Sequence, residues 1–129
     1  MARGATLGGM GLYTLAEARA ELARLRPLLD EFIVVRADTA ELAASLAPGG
    51  TPTALGGLPE WKASSARLDE LVTEVQQPGI QLKGLAPLLL DFPAELDGVP
   101  VLLCWLEGDP DLAWFHRADL GFAGRRPLP

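Results

Sequence analysis

The sequence predicts an α+β fold, an antiparallel α-helical hairpin packed with a three- to four-stranded antiparallel β-meander. Three observations carry this. Apolar residues recur at helical spacing through the first half, and after Gly79 they alternate or run in short blocks. The two regimes meet at Pro78-Gly79, a pair that breaks either kind of element.

The first helix is expected to begin at Thr14, because Thr14-Leu15-Ala16-Glu17 has the form of a capping box. In that motif the hydroxyl and the carboxylate each satisfy a backbone amide that the helix start leaves unpaired. Ala18, Leu22, Leu25, Leu29 and Phe32 then step by four, three, four and three, drawing one narrow stripe suited to packing on a second helix. Pro27 lacks an amide and crowds the preceding turn, which predicts a kink near Leu25. The stripe continues past it, so the helix is expected to reach about Leu46. Pro48-Gly49-Gly50-Thr51-Pro52 and Gly56-Gly57 read as a mobile connection. The second helix starts at Pro59, a residue favoured in the first turn, and carries Trp61, Leu68, Leu71, Val72 and Val75 up to Pro78.

Strands follow. Ile80-Gln81-Leu82-Lys83 alternates, and Leu88 to Phe92 and Val99 to Leu106 are apolar runs. Asp97-Gly98 between two such runs predicts a tight hairpin, and Gly108-Asp109-Pro110 supplies the turn before a last strand from Leu112 to His116.

At 129 residues the chain suits one domain, expected over 13–129 behind a flexible, glycine-rich N-terminal tail at 1–12. An apolar fraction of 49% on so short a chain predicts burial between subunits, hence a homodimer. No apolar run approaches the roughly 20 residues of a membrane helix, and the N-terminus lacks the continuous apolar core of a secretory signal. With Cys104 the only cysteine, these features predict a cytoplasmic protein. The net charge of −6 opposes contact with phosphate backbones and disfavours nucleic-acid binding. The acids are unevenly placed: Asp91, Glu95, Asp97, Glu107, Asp109 and Asp111 fall between Gly84 and His116 with no Lys or Arg among them, whereas Arg117, Arg125 and Arg126 follow.

Leu89-Leu90-Asp91-Phe92-Pro93, then Leu103-Cys104-Trp105, Trp114-Phe115-His116 and Gly121-Phe122-Ala123-Gly124-Arg125 form a series in which an Asp-Phe-Pro strand, a Cys-Trp strand, a Trp-His pair and a glycine-rich Arg tail succeed one another. In this order they resemble the prokaryotic domain of unknown function 2203, and Thr14-Leu15-Ala16-Glu17-Ala18 is similar to that family's opening helix. The resemblance covers nearly all of residues 13–127. It implies a cytoplasmic bacterial or archaeal protein and supplies no mechanism.

Among residues that bear chemistry, His116 is the only histidine and stands at a strand end beside a turn, where a side chain reaches a cleft from a rigid backbone. It is either a base, acid or ligand, or a group that hydrogen-bonds the backbone and closes the sheet edge. Asp91 interrupts an apolar strand and requires a partner, with His116 and Arg125 as candidates. Gly121 and Gly124 flank a segment whose amides can approach an anion that Arg125 grips bidentately; the alternative is a loop pinned by Phe122 in the core and Arg125 on an acid. Cys104, between leucines, reads as core, with a raised thiol pKa. A Cys104-His116-Asp91 hydrolase triad matches no spacing of a known nucleophilic enzyme. Glu107, Asp109 and Asp111 read as a solvated turn, since Pro110 and the missing distal acid argue against a calcium loop. One His and one Cys fall short of a soft-metal set within one subunit, so neither a metal nor another cofactor is expected.

No complete catalytic constellation appears. The favoured expectation is a non-catalytic interaction or scaffolding protein that dimerises through its helices. The alternative is a binding domain or enzyme for a small anionic metabolite using Asp91, His116 and Arg125.

Overall fold

The structure, a computed structural model, describes residues 12–129. The expected N-terminal tail lies outside the described residues except for Leu12. Two helices, α1 (Leu15–Leu46) and α2 (Leu58–Gln76), precede five strands, β1 (Gln81–Leu85), β2 (Leu88–Leu96), β3 (Val99–Leu106), β4 (Trp114–Arg117) and β5 (Arg126–Pro127), with a 3₁₀ turn at Phe122–Gly124 ahead of β5. The fold is α+β. Its contacts sort into two compact units, residues 12–24 with 76–129, and residues 25–75.

The start of α1 follows from the capping box: the Thr14 amide donates to Glu17 Oε1 and the Glu17 amide to Thr14 Oγ1, both at 3.0 Å. Ala18, Leu22, Leu25, Leu29 and Phe32 are all buried, as their spacing predicts. The helix runs on through Pro27 to Leu46 without a break.

In the first unit the sheet order is β1-β2-β3-β4-β5, every pair antiparallel, so the meander has one strand more than expected. The extra strand is β5, two residues paired with Trp114 and Phe115. It shows no alternation because it is too short and half proline. The last long strand begins at Trp114, and Leu112 is buried in the approach to it. There the Leu112 carbonyl accepts the Arg19 guanidinium at 3.1 Å. Asp97 and Gly98 both have positive φ, 50° and 79°, the twist that lets a two-residue turn join right-twisted strands.

Register assigns the faces. Leu90 opposes Trp105 and Phe92 opposes Leu103 on one face, where Tyr13 meets Phe92 edge to face at 5.5 Å. Asp91 opposes Cys104 on the other, and Leu102 opposes His116 there. All five residues from Val101 to Trp105 are buried, so β3 is covered on both sides. Each fully buried Leu or Phe contributes about 1.5–3 kcal/mol.

In the second unit Arg67 of α2 donates to both carboxylate oxygens of Glu31 of α1, at 2.7 and 2.8 Å, and to Glu70 at 3.0 Å. Farther from the start of α1, Val35 and Leu42 share a hollow with Ala63 and Glu60, so the helices run antiparallel. Arg67 holds the Glu31 carboxyl below its usual range.

Candidate functional site

The buried face of the sheet unit gathers ionisable groups from four adjacent strands. Asp91 (1% exposed) stands on β2 directly opposite Cys104 on β3. His116 on β4 lies two residues beyond Trp114, the Cα partner of Cys104, and therefore on the same face. Its Nε2 is 3.2 Å from Asp91 Oδ2. Lys83 reaches the same oxygen from β1, donating from Nζ at 3.0 Å. A buried carboxylate is costly without such partners, and here it has two cationic or proton-bearing ones. Asp91 Oδ1, buried beside them, has no hydrogen-bond partner.

The imidazole is held at both ends. Its Nδ1 is 2.9 Å from the Arg117 carbonyl, which only accepts, so Nδ1 bonds there as the donor. Nε2 is left to face Asp91. Neither nitrogen is directed at Cys104, and a thiol triad needs one on the nucleophile and the other on the acid. The Cys104 thiol pKa is itself pushed up to about 12, first by burial and next by the negative charge of Asp91, with Arg125 opposing. The arrangement does not support a cysteine hydrolase.

Of the five residues singled out in the sequence, Asp91 and His116 come together and the other three do not join them in a hydrogen bond. Arg125 pairs with Asp109, its guanidinium over the rings of Trp114 at 4.5 Å and Phe122 at 5.2 Å. The glycine segment forms a 3₁₀ turn in which the Gly124 amide donates to Gly121 and the Arg125 amide to Phe122, so neither amide faces outward for an anion. A Cβ on Gly124 would fall 2.9 Å from that of Leu120, which gives this glycine a packing role. Phe122 is exposed, so the loop is pinned by Arg125 on its acid and not by Phe122 in the core.

Three further residues matter that the sequence reading passed over. Lys83 sits where the β1–β2 register slips between Leu82 and Gly84, and alternation alone does not reveal which way a bulge residue points. Glu107 and Asp109 do more than solvate a turn: Glu107 Oε1 accepts the Leu88 amide at 2.9 Å, and Asp109 Oδ2 accepts the Leu106 amide at 2.9 Å. The Asp109 carbonyl also accepts Trp105 Nε1 at 3.0 Å. Lastly, the lone His and lone Cys gain a third potential ligand in Asp91; one ligand atom of each lies within 4.8 Å of the others.

A separate cleft of about 520 Å³ opens in the same unit, walled by Leu96, Val99, Val101, Phe115 and Pro129 and bordered by Asp97, Arg117 and Arg126. Arg117 pairs with the exposed Asp119; Arg126 has no ion pair among the described residues.

An Asp-Phe-Pro strand, a Cys-Trp strand and a Trp-His pair thus follow one another in the sheet, and the matching family model, described as "Uncharacterized conserved protein (DUF2203)", extends over residues 11–128. The chain belongs to the DUF2203 family. No match is found among curated proteins or among solved structures. The DUF2203 match spans the helices and all five strands. No helix among the described residues is long and apolar enough to cross a membrane.

Proposed function

We propose that this DUF2203 protein is a non-catalytic interaction protein that forms a homodimer through the far end of its helical hairpin. One observation carries the reading: from residue 43 to residue 70 not one side chain is buried, although Leu46, Leu55, Leu58, Trp61 and Leu68 all lie there. Leu46 and Leu58 are 45% and 49% exposed. Two helices alone enclose only the seam between them, so apolar residues flanking the seam need another surface. Ala43, Leu46, Ala47, Leu58 and Trp61 line a groove of about 290 Å³ at this end.

The occupant is a second copy. One patch brings small side chains, Ala43 and Ala47, and large ones, Leu46, Leu58 and Trp61, to the same groove. A two-fold axis places each copy's large side chains against the other's small ones, which is the self-complementarity an isologous interface requires. Light scattering at micromolar concentration is expected to give twice the chain mass of 13.7 kDa. Leu58→Glu is expected to return the monomer with its circular dichroism unchanged; a monomeric wild type would overturn the reading.

A second reading, binding of a small anionic molecule, is favoured by the cleft at Arg117 and Arg126. Its size and apolar walls suit a ligand that joins a carboxylate to a hydrocarbon body, with a free guanidinium to orient it. Asp91, His116 and Arg125 suit such a ligand less well, since their charges are matched within the fold. Octanoate is expected to raise the melting temperature of the wild type and not of Arg126→Ala. Equal shifts in both proteins would remove the cleft from consideration.

A further inference from the structure

We propose that Asp91 Oδ1, Cys104 Sγ and His116 Nε2 form a binding site for a borderline divalent metal ion of the zinc type. The three side chains come from adjacent strands and not from loops, and one ligand atom of each lies within 4.8 Å of the others. Contraction by about 1 Å brings them to the edges of a tetrahedron with metal bonds of roughly 2.0–2.3 Å. All three side chains are at least nine-tenths buried. One sulfur, one nitrogen and one oxygen select a borderline ion over the hard cations, which take oxygen sets.

Two features point to a ligand. Among the described residues Asp91 Oδ1 is a buried acceptor with no hydrogen-bond partner, an arrangement that folded proteins rarely tolerate. The neighbouring groups are also arranged as supports for metal ligands. Lys83 holds the other carboxylate oxygen, and the Arg117 carbonyl receives Nδ1–H, so Nε2 is the nitrogen that takes a metal, in place of the proton it shares with Asp91. Lys83 is 44% exposed on the rim, so its displacement opens a way in. The fourth position falls to the second oxygen of Asp91 or to water.

Cobalt(II) tests this directly, because the chain has one cysteine and one histidine. Chelator-treated protein titrated with Co²⁺ is expected to saturate at one ion per chain, with a near-ultraviolet sulfur-to-cobalt charge-transfer band and the strong visible absorption of a four-coordinate ion. An equivalent of Zn²⁺ is expected to erase both. Cys104→Ser should lose the charge-transfer band, and His116→Ala should weaken binding at least tenfold. The wild-type spectrum decides the matter even where a variant fails to fold. No saturable binding, binding without the charge-transfer band, or wild-type affinity in both variants would each overturn the site and leave only adventitious binding to surface acids.

Discussion

The β2–β3 pair and the far end of the hairpin both carry large apolar side chains and are opposite in how they enclose them. Along β3 five consecutive residues are buried, and the end of the pair is tied by side chains, Glu107 accepting the Leu88 amide and Asp109 the Leu106 amide. Residues 43–70 hold five large apolar side chains and bury none. The contrast is one of dimensionality. A strand is screened by a neighbour on either side and by material on either face, whereas a helix in a two-helix hairpin has one neighbour, and the rest of its circumference faces outward. On the proposed reading, stability and interaction are divided between different stretches of the chain.

Truncation sharpens this contrast most. Leu103→Ala is expected to cost about 2–5 kcal/mol, the range for a fully enclosed leucine, while Leu58→Ala in dilute monomer should stay within about 0.5 kcal/mol. Urea melts of the two variants compare them; similar losses would mean that the hairpin end is packed after all. Next in size, His116→Ala in metal-free protein is expected to cost on the order of 1–3 kcal/mol, because Asp91 keeps Lys83 and loses its buried imidazole partner. A variant as stable as the wild type would show that the imidazole is not a structural lock.

How much of this was legible in the sequence follows from how local each signal is. The capping box, the stripe from Ala18 to Phe32 and the Asp97-Gly98 turn need only neighbours within a few residues, and all three are realised. The resemblance to DUF2203 rested on strand motifs and is matched by the family model. What failed depends on register or on distant partners. Asp91 was seen to need a partner, but only strand pairing assigns it His116 and Lys83 while giving Arg125 to Asp109. Lys83 was hidden by a bulge, and β5 by its length. The candidate metal site was dismissed by counting soft ligands, since the carboxylate that completes it is 13 residues from Cys104 in sequence and directly opposite it in the sheet.

A further effect separates the regions by pH. In metal-free protein the Cys104 thiol, its pKa raised to about 12 from the usual 9, favours the folded state while protonated. Above pH 9 the unfolded chain releases this proton and the folded chain does not, so stability falls as pH rises from about 9 to 12. Chemical denaturation across that window checks the slope, and Cys104→Ala is expected to flatten it. An unchanged slope would assign the effect to other groups.

The division between a self-sufficient sheet and a hairpin end that needs a partner is tested most directly by amide hydrogen exchange at two protein concentrations, one below and one above the dimer midpoint. The expected result is that amides in residues 43–70 gain protection as concentration rises, while those of β2 and β3 are protected alike at both. Exchange in residues 43–70 that does not vary with concentration, in a protein whose mass stays at 13.7 kDa, would contradict it.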